Sequence, residues 1–322
     1  MCIAGDNPYV GPALERAMCP YRPKTMANYR RQLHLFICFS VRVKARTVLS
    51  VDNLIGFLEL LSACNVSPRS ISNYVSGIRS QLALFQQPTK WMEHSMIVNY
   101  LRALHISKPA VCRPKDTITL SEFYNISVLL DQFDHPVVYR AAFCLSFYGF
   151  LRISNLVGPT QSSFDPTRQL TREDISFVNE GVCIYLKWAK NMQKAQQTQV
   201  IMLPSMKSHW LCPVYTLKSL FASERYRLCD AVVKTQGGPL TESMLRKRLH
   251  LILSMLHMPS RALTYHCLRR SGASLAFNNE VDFECIKSQG GWRSDSVYKY
   301  LFANAEKIQQ VPKMFQALEA QL

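Results

Sequence analysis

Hydrophobic side chains in residues 71–85 repeat at three- and four-residue spacing, which places them on one face of a helix. Ser67 and Pro68 stand directly before this repeat and supply an N-cap and a first-turn proline. Similar repeats predict three more helices, around residues 29–39, 54–61 and 91–104. The first third of the chain is therefore predicted to form a small helical bundle over residues 21–106.

Two proline-containing stretches flank this predicted bundle. Residues 1–20 are expected to be irregular, because Pro8, Pro12 and Pro20 interrupt them. Residues 107–116 contain two prolines and three basic side chains without any hydrophobic period, which is typical of a linker. The chain is thus predicted to continue, after this linker, with a second domain over residues 117–322.

The second domain has a mixed pattern of helices and strands. Thr119 and Glu122 form a capping-box sequence at a helix start, and a buried helix is predicted over residues 139–150. The apolar runs 182–188 and 199–203 predict paired strands, and the chain after about residue 213 is expected to be helical again. The predicted fold class is mainly α: an N-terminal helical bundle, then a mostly helical domain with one small antiparallel β-sheet.

The charge of the chain indicates the kind of partner it binds. The 322 residues contain 38 Lys and Arg against 22 Asp and Glu, a formal net charge of +16. Residues 1–113 hold 14 basic and 5 acidic side chains, so the smaller predicted domain is the more basic per residue. The hydrophobic content of 48% is enough for a packed core. A positive field of this size favours a polyanion, nucleic acid first and an anionic membrane surface second.

Several classes of protein have no support in the sequence. The longest strongly apolar uncharged run, residues 141–151, is shorter than the ~20 residues of a membrane span, and no secretory-signal pattern is visible. The 11 cysteines are scattered singly without any C-x-x-C, which favours reduced thiols in an intracellular protein over disulfides or a zinc site. Without a G-x-G-x-x-G or P-loop sequence, no nucleotide cofactor is expected.

Four short stretches contain residue types suited to phosphate chemistry. His266 and Arg269 are three residues apart, so on a helix they share a face. Each candidate taken alone also has an ordinary structural explanation, such as a helix-end ion pair, a solvated turn or packing in the core. The order and spacing of all the candidates together favour a shared functional role over these separate structural explanations. In chain order the candidates are Arg152, Lys190, His266, Arg269, Trp292 and Tyr300.

This order resembles that of the tyrosine recombinase, or phage integrase, family. Residues 151–154, Leu-Arg-Ile-Ser, look like its first-arginine motif, and His266-Cys267-Leu268-Arg269 looks like its His-x-Leu-Arg motif. Gly291-Trp292 takes the place of the usual Gly-His, and Trp is an accepted variant there. The Trp188-Ala189-Lys190 context and the Trp292–Tyr300 spacing are most similar to recombinases of eukaryotic mobile elements, the DIRS-like retrotransposons and the Cryptons.

The resemblance implies the domain types and the partners. Residues 21–106 would be a SAM-like core-binding domain, and residues 117–322 the catalytic domain. Double-stranded DNA would be the partner, with a homotetramer on DNA, a monomer or dimer when free, and no metal or cofactor. In a eukaryote the enzyme would act in the nucleus. The side chains expected to bind DNA are Arg30, Arg31, Arg69, Arg79, Lys108, Arg113 and Arg270.

The resemblance also implies a role for each catalytic candidate. Tyr300 would attack a DNA phosphodiester and form a 3′-phosphotyrosine intermediate, which conserves the bond energy for religation. The two arginines and Trp292 would donate hydrogen bonds to the non-bridging phosphate oxygens. Lys190 would protonate the departing 5′ oxygen, and His266 would assist proton transfer with the tyrosine. The predicted function is therefore site-specific DNA recombination or integration.

Three assignments leave an alternative open. Asn155 stands where many family members carry an acidic residue, so the site lacks that charge. Tyr298 competes with Tyr300 as the nucleophile; on a helix the two would point about 200° apart, and the spacing from the tryptophan favours Tyr300. Lys194 competes with Lys190, and the Trp-Ala-Lys context favours Lys190.

Two other functions fit the same resemblance. One is a DNA-binding protein derived from a recombinase that has lost catalysis, which the complete set of catalytic candidates disfavours. The other is a type IB topoisomerase-like enzyme, which would relax supercoiled DNA without site preference.

Arg270 would contact the DNA backbone or serve a structural role. The apolar positions of the tail, residues 303–322, would pack on a neighbouring protomer or complete the core.

Overall fold

The chain divides into two compact units, residues 1–113 and 114–322. The computed structural model describes residues 21, 23–108, 116–179, 181–187, 199–223, 225–258, 263–301, 303, 307, 309 and 310. The predicted irregular segment 1–20, most of the predicted linker 107–116 and most of the tail 303–322 lie outside these residues.

The first unit is a helical bundle, as the hydrophobic spacing predicts. Its helices are α1 (Pro23–Arg42), α2 (Val51–Ala63), α3 (Pro68–Leu84) and α4 (Ser95–Ser107). The Ser67 hydroxyl caps α3 by accepting from the backbone N–H of Ser70 at 3.3 Å, which confirms the predicted N-cap. The side chains of Phe36, Leu54, Leu58, Ile71 and Ile78 are fully buried in the core between the helices.

The start of the fourth helix differs from its prediction. Residues Lys90–Glu93, which include Trp91, form a separate 3₁₀ turn. His94 is extended (φ −57°, ψ 138°), and its Nδ1 accepts from the backbone N–H of Met96 at 3.2 Å. Because His94 acts as an N-cap, α4 begins only at Ser95.

The second unit is built around one buried helix. Its helices are α5 (Leu120–Leu129), α6 (Pro136–Tyr148), the single turn α7 (Ile153–Leu156), α8 (Pro213–Ser223), α9 (Glu242–Met255), α10 (His266–Asn278) and α11 (Phe283–Gly290). The predicted capping box is present at the start of α5, where Thr119 and Glu122 bond to each other's backbone N–H. Helix α6 is buried along most of its length and packs against α8 and α10.

A three-stranded antiparallel sheet accompanies these helices. Strands β1 (Ile175–Val178), β2 (Gly181–Leu186) and β3 (Gln199–Pro204) pair in that order, with Val182 opposite Leu203. The β2–β3 pairing was predicted, whereas β1 was not, because four residues are too few for a clear alternation. A short hairpin of β4 (Lys234–Thr235) and β5 (Gly238–Pro239) corrects the expectation that the chain is wholly helical after residue 213.

Helices α6 and α10 approach each other closely at Gly272. A β-carbon at this position would overlap the carbonyl oxygen of Phe147 in α6, so only glycine fits without a shift of backbone. The contact places the first two turns of α10 beside the end of α6.

Within the described residues, no helix is both long enough and apolar enough to cross a membrane.

Candidate active site

The first turn of α10 carries two of the predicted site residues on one face. His266 is the first residue of the helix, and Arg269 follows one turn later. The Nε2 atom of His266 lies 3.0 Å from the phenol oxygen of Tyr300, which arrives from the 3₁₀ turn Asp295–Lys299. The two rings meet edge-on at a centroid distance of 5.3 Å. This pair joins positions 34 residues apart through a single hydrogen bond.

Arg269 is a buried cation held by backbone carbonyls. Its side chain belongs to a residue only 2% exposed, and its Nη2 donates to the carbonyl of Gly290 at 2.7 Å. Its Nη1 donates to the carbonyl of Phe150, while its Nε has no partner among the described residues. Burial lowers the pKa of Arg269 well below its usual value, and the nearby charge of Arg152 lowers it further. A guanidinium stays charged in proteins, so this environment favours an anion beside it.

Arg152 reaches the site from the turn between α6 and α7. Phe150 in this turn has a left-handed backbone (φ +49°), which costs about 1 kcal/mol or more for a non-glycine residue. The backbone N–H of Arg152 donates to Oδ1 of Asn155 at 3.0 Å, so this asparagine holds the first turn of α7. Burial lowers the pKa of Arg152, and Tyr300 opposes this effect. The site therefore holds two nearby guanidinium groups, neither of which is ion-paired with a described carboxylate.

Trp292 covers the buried guanidinium. The Cζ atom of Arg269 lies 4.0 Å from the centre of the indole ring, and the ring of Tyr300 lies 5.2 Å from it. Trp292 is only 4% exposed, yet its Nε1–H has no partner in the described part of the chain. Gly291 precedes it with a left-handed backbone (φ +62°), which ends α11 and turns the chain towards the site.

Two glutamines that sequence reasoning missed fix this turn in place. Gln199, the first residue of β3, donates through Nε2 to the carbonyls of Ser288 at 2.5 Å and Gln289 at 3.0 Å. Gln289 donates in turn to the carbonyls of Tyr148 at 3.1 Å and Met202 at 3.3 Å. These bonds attach the end of α11 to β3 and to α6, directly before the Gly290 carbonyl that holds Arg269. No local signal in the sequence marks either glutamine.

The two competing tyrosines have different surroundings. Tyr298 is 60% exposed and stacks on Phe283 with a centroid distance of 4.7 Å. Tyr300 is half-buried between His266 and Trp292, and its backbone carbonyl accepts from the Ser274 hydroxyl at 2.9 Å. Tyr300 thus lies against the other site residues, and Tyr298 points away from them.

The remaining catalytic candidate lies outside the described residues. Lys190 and its competitor Lys194 both fall in segment 188–198, between β2 and β3. The structure therefore brings together five of the six predicted residues, namely Arg152, His266, Arg269, Trp292 and Tyr300. Among the described residues, no group of three His, Cys, Asp or Glu side chains is placed to hold a metal ion.

The predicted DNA-binding residues of the first unit differ in their surroundings. Arg30, Arg31 and Arg69 are exposed on the helical bundle. Arg79 is paired with Glu93 at 3.4 Å and also donates to a backbone carbonyl. Lys108 is exposed, with its Nζ bonded to the carbonyl and hydroxyl of Ser62 at 2.9 Å.

The last two predicted DNA-binding residues lie at and beyond the linker. Arg113 lies outside the described residues. Arg270 is only 6% exposed, and its Nε has no partner among them. Burial lowers the pKa of Arg270, while Asp116 is one of the neighbours that oppose this effect. The guanidinium of Arg270 is thus mostly withdrawn from solvent, and both its contact with the DNA backbone and its structural role stay predictions.

Comparison with solved structures identifies the fold. A variant of the Tn1549 transposon integrase in complex with a circular intermediate DNA matches with a TM-score of 0.61 and 13% identity, over 94% of this chain and 97% of that one. The XerH site-specific recombinase bound to its difH substrate matches with a TM-score of 0.59 and 16% identity, over 91% and 79%. A lambda integrase tetramer bound to a Holliday junction matches with a TM-score of 0.55 and 15% identity, over 89% and 78%.

Sequence comparison gives no such match. No protein-family model and no curated protein matches the chain. At 13–16% identity the likeness to the solved structures concerns the backbone, and it extends over about nine-tenths of the chain. The protein therefore has the fold of the tyrosine recombinases and integrases.

Proposed function

We propose that this protein is a site-specific DNA recombinase that cleaves and rejoins DNA strands through Tyr300. One observation carries the proposal: the Tyr300 phenol lies 3.0 Å from His266 Nε2, beside two guanidinium groups that have no ion pair with a described carboxylate. A phenol, a proton acceptor and paired cations are what attack on a phosphodiester requires. The fold shared with DNA-bound recombinases and integrases supports the same conclusion.

Binding of the scissile phosphate would satisfy the buried donors of the site. Arg152 and Arg269 would donate to its non-bridging oxygens, and the unpaired Nε1–H of Trp292 would add a third donor. The negative charge would offset the mutual repulsion of the two guanidinium groups. These donors would gain strength as the pentacoordinate transition state accumulates charge, because they are fixed before the reaction begins.

The chemical step would be a transesterification. The Tyr300 oxygen forms a bond to phosphorus, its proton passes to His266, and the bond from phosphorus to the 5′ oxygen breaks. The departing oxygen takes a proton from Lys190, a role that rests on the family resemblance because this residue lies outside the described ones. The product is a 3′-phosphotyrosine and a free 5′ hydroxyl. Attack by the 5′ hydroxyl of another strand reverses the step and restores Tyr300.

We also propose that the chain assembles on DNA as a tetramer, belongs to a eukaryotic mobile element and acts in the nucleus. The lambda integrase structure is a tetramer on a Holliday junction, which supports a tetramer of this chain on DNA. The Trp188-Ala189-Lys190 context and the Trp292–Tyr300 spacing support a place among the DIRS-like and Crypton recombinases of eukaryotic mobile elements. An enzyme of that kind would act in the nucleus. The exposed Arg30, Arg31 and Arg69 would contribute to DNA binding by the first unit.

The proposal is tested by trapping the covalent intermediate. The full chain is incubated with a library of nicked duplexes of random sequence, in which the short strand beyond the scissile phosphate diffuses away after cleavage. Denaturing electrophoresis should then show a covalent protein–DNA complex, and sequencing of the trapped DNA should give a preferred site. The absence of any covalent complex across the library contradicts catalysis. Relaxation of supercoiled plasmids regardless of that site would support the topoisomerase alternative instead.

A further inference from the structure

A cleft of about 760 Å³ lies at the C-terminal end of α8, and three of its lining side chains are arginines. They are Arg172, Arg225 and Arg227, and the rings of Phe221 and Tyr226 line the same cleft. We call these five residues the arginine cleft. The reaction proposed above makes no use of it.

Aromatic rings hold two cations of this region in place. The guanidinium of Arg172 lies 4.2 Å from the ring centre of Phe221, and the ammonium of Lys234 lies 4.7 Å from that of Tyr226. The two rings pack edge-on against each other with a centroid distance of 5.0 Å. A ring face attracts a cation without neutralising it, so the positive charge stays available to an anion.

Acidic side chains compensate only part of this charge. The Asp230 carboxylate accepts from Lys234 Nζ at 2.7 Å and from Arg227 Nε at 3.1 Å, and its side chain is only 9% exposed. The Arg227 side chain is 84% exposed, so most of its guanidinium faces solvent. Neither Arg172 nor Arg225 is ion-paired with any carboxylate in the described part of the chain. Counted over the described residues, the arginine cleft therefore carries an excess of positive charge.

The wall of the cleft is connected to the base of the segment that carries Lys190. The backbone N–H groups of Arg172 and Glu173 donate to the carbonyls of Asp230 and Leu228 at 2.9 and 3.0 Å. Glu173 also accepts from Lys187 Nζ at 2.5 Å. Lys187 is the last described residue before segment 188–198. The turn that contains Arg172 and Glu173 is thus hydrogen-bonded to residues 228 and 230 beside the cleft, and to Lys187 at the end of β2.

We propose that the arginine cleft binds backbone phosphates of the DNA duplex on which the enzyme acts. This inference rests on the proposed function, which makes duplex DNA the substrate. Exposed guanidinium groups with a planar fork of N–H donors suit phosphate oxygens. Such contacts fix the position of the protein on the duplex and carry no sequence information.

The salt dependence of DNA binding tests this inference without requiring cleavage. The affinity for a duplex of random sequence is measured against salt concentration for the wild type and for the double variant Arg225→Gln/Arg227→Gln. Each lost phosphate contact should reduce the slope of log K against log salt by about 1, so we expect a decrease of about 1 to 2. At ~0.1 M salt the affinity should fall roughly 5- to 50-fold.

Two further variants make the result specific to the arginine cleft. Arg225→Lys/Arg227→Lys keeps both charges and should retain the wild-type slope. Arg168→Gln removes an arginine with a similar i,i+3 partner, Asp165 at 3.1 Å, and should also leave the slope unchanged. Should the double variant lose its helical circular dichroism, the single change Arg225→Gln serves in its place, with an expected decrease of about 1.

Failure of the inference can be told apart from failure of the proposed function. A wild-type slope in the glutamine variants overturns the arginine cleft as a DNA site, whether or not the covalent intermediate forms. A reduced slope together with no covalent intermediate supports the arginine cleft and contradicts the recombinase chemistry instead.

Discussion

The guanidinium of Arg269 lies 4.0 Å from the centre of the Trp292 ring, and each side chain keeps one N–H that no other described residue accepts. A buried donor without a partner costs about 1–3 kcal/mol of folding free energy. The two donors belong to side chains that stack on each other, so the cost of burying both lowers the stability of the folded chain at this one place. A bound phosphate would recover that free energy, so binding and the proposed chemistry share the same donors.

Trp292→Phe separates the donor from the packing of the ring. The smaller ring loses packing, but the change also removes an N–H that is buried without a described partner, so the opposing effects should leave the free energy of unfolding within about 1 kcal/mol of the wild type. The loss of one donor to the transition state should slow formation of the covalent intermediate about a hundredfold in single-turnover assays. In the control Trp91→Phe, a hydrogen bond to the Pro88 carbonyl at 2.8 Å is lost. That control should lower stability by about 1 kcal/mol and leave the rate unchanged; equal rates for the two variants would contradict the role of Trp292.

Gln199→Glu tests whether the glutamine bonds position the site. The carboxylate cannot donate to the Ser288 and Gln289 carbonyls, so the end of α11 and the carbonyl that holds Arg269 should shift. We expect the single-turnover cleavage rate to fall about tenfold or more, with little change in the affinity for duplex DNA. Gln161→Glu is the matched control, because Gln161 donates to the Gly237 carbonyl at 3.0 Å. A parallel loss of affinity and rate would indicate general damage to the fold.

Gly272→Ala tests the contact between α6 and α10. The added methyl group would overlap the Phe147 carbonyl oxygen, and backbone must move to relieve it. The free energy of unfolding in urea should fall by about 2–4 kcal/mol. Gly56→Ala, in α2, is the matched helical control, because its β-carbon would meet Phe39 at an ordinary 3.5 Å. That substitution should stabilise the protein by about 0.5–1 kcal/mol, and a destabilisation as large as that of Gly272→Ala would contradict the account.

The carboxylate of Asp230 should give acid sensitivity. Its hydrogen bond from Lys234, together with those from Arg227, lowers its pKa from 3.8 to about 2. The native state therefore binds this proton more weakly than the unfolded chain does. Its stabilising contribution is present above about pH 4 and is lost as the pH falls towards 2. Asp230→Asn should be less stable than the wild type by about 1 kcal/mol at neutral pH, and urea unfolding near pH 2 should show no difference.

Local pattern was enough to predict several elements. The buried face of α3 follows from its apolar spacing, and Ser67 and Thr119 cap their helices because capping depends on neighbouring residues alone. His266 and Arg269 share a face because three residues make nearly one helical turn. Predictions of this kind need no knowledge of the rest of the chain.

Contacts between distant parts of the chain were not predictable. Gln199 and Ser288 are 89 residues apart, and the residues next to each of them in the sequence give no sign of the hydrogen bond between them. Arg270 follows Arg269 by one residue, which on a helix turns its side chain about 100° away. Whether that direction is core or solvent depends on the elements that cover α10, and the structure shows that it is core. For the same reason the sequence left Tyr298 as an alternative to Tyr300, because the side chains that surround each ring come from distant parts of the chain.

The measurement that tests the central claim most directly is the position of the covalent bond. After nuclease digestion of the trapped complex, trypsin cleavage at Lys299 separates Tyr298 and Tyr300 onto different peptides, which mass spectrometry distinguishes. We predict a nucleotide on the peptide that begins with Tyr300, no adduct in Tyr300→Phe, and an unchanged adduct in Tyr298→Phe. A nucleotide on Tyr298, or a covalent complex that persists in Tyr300→Phe, would contradict the account.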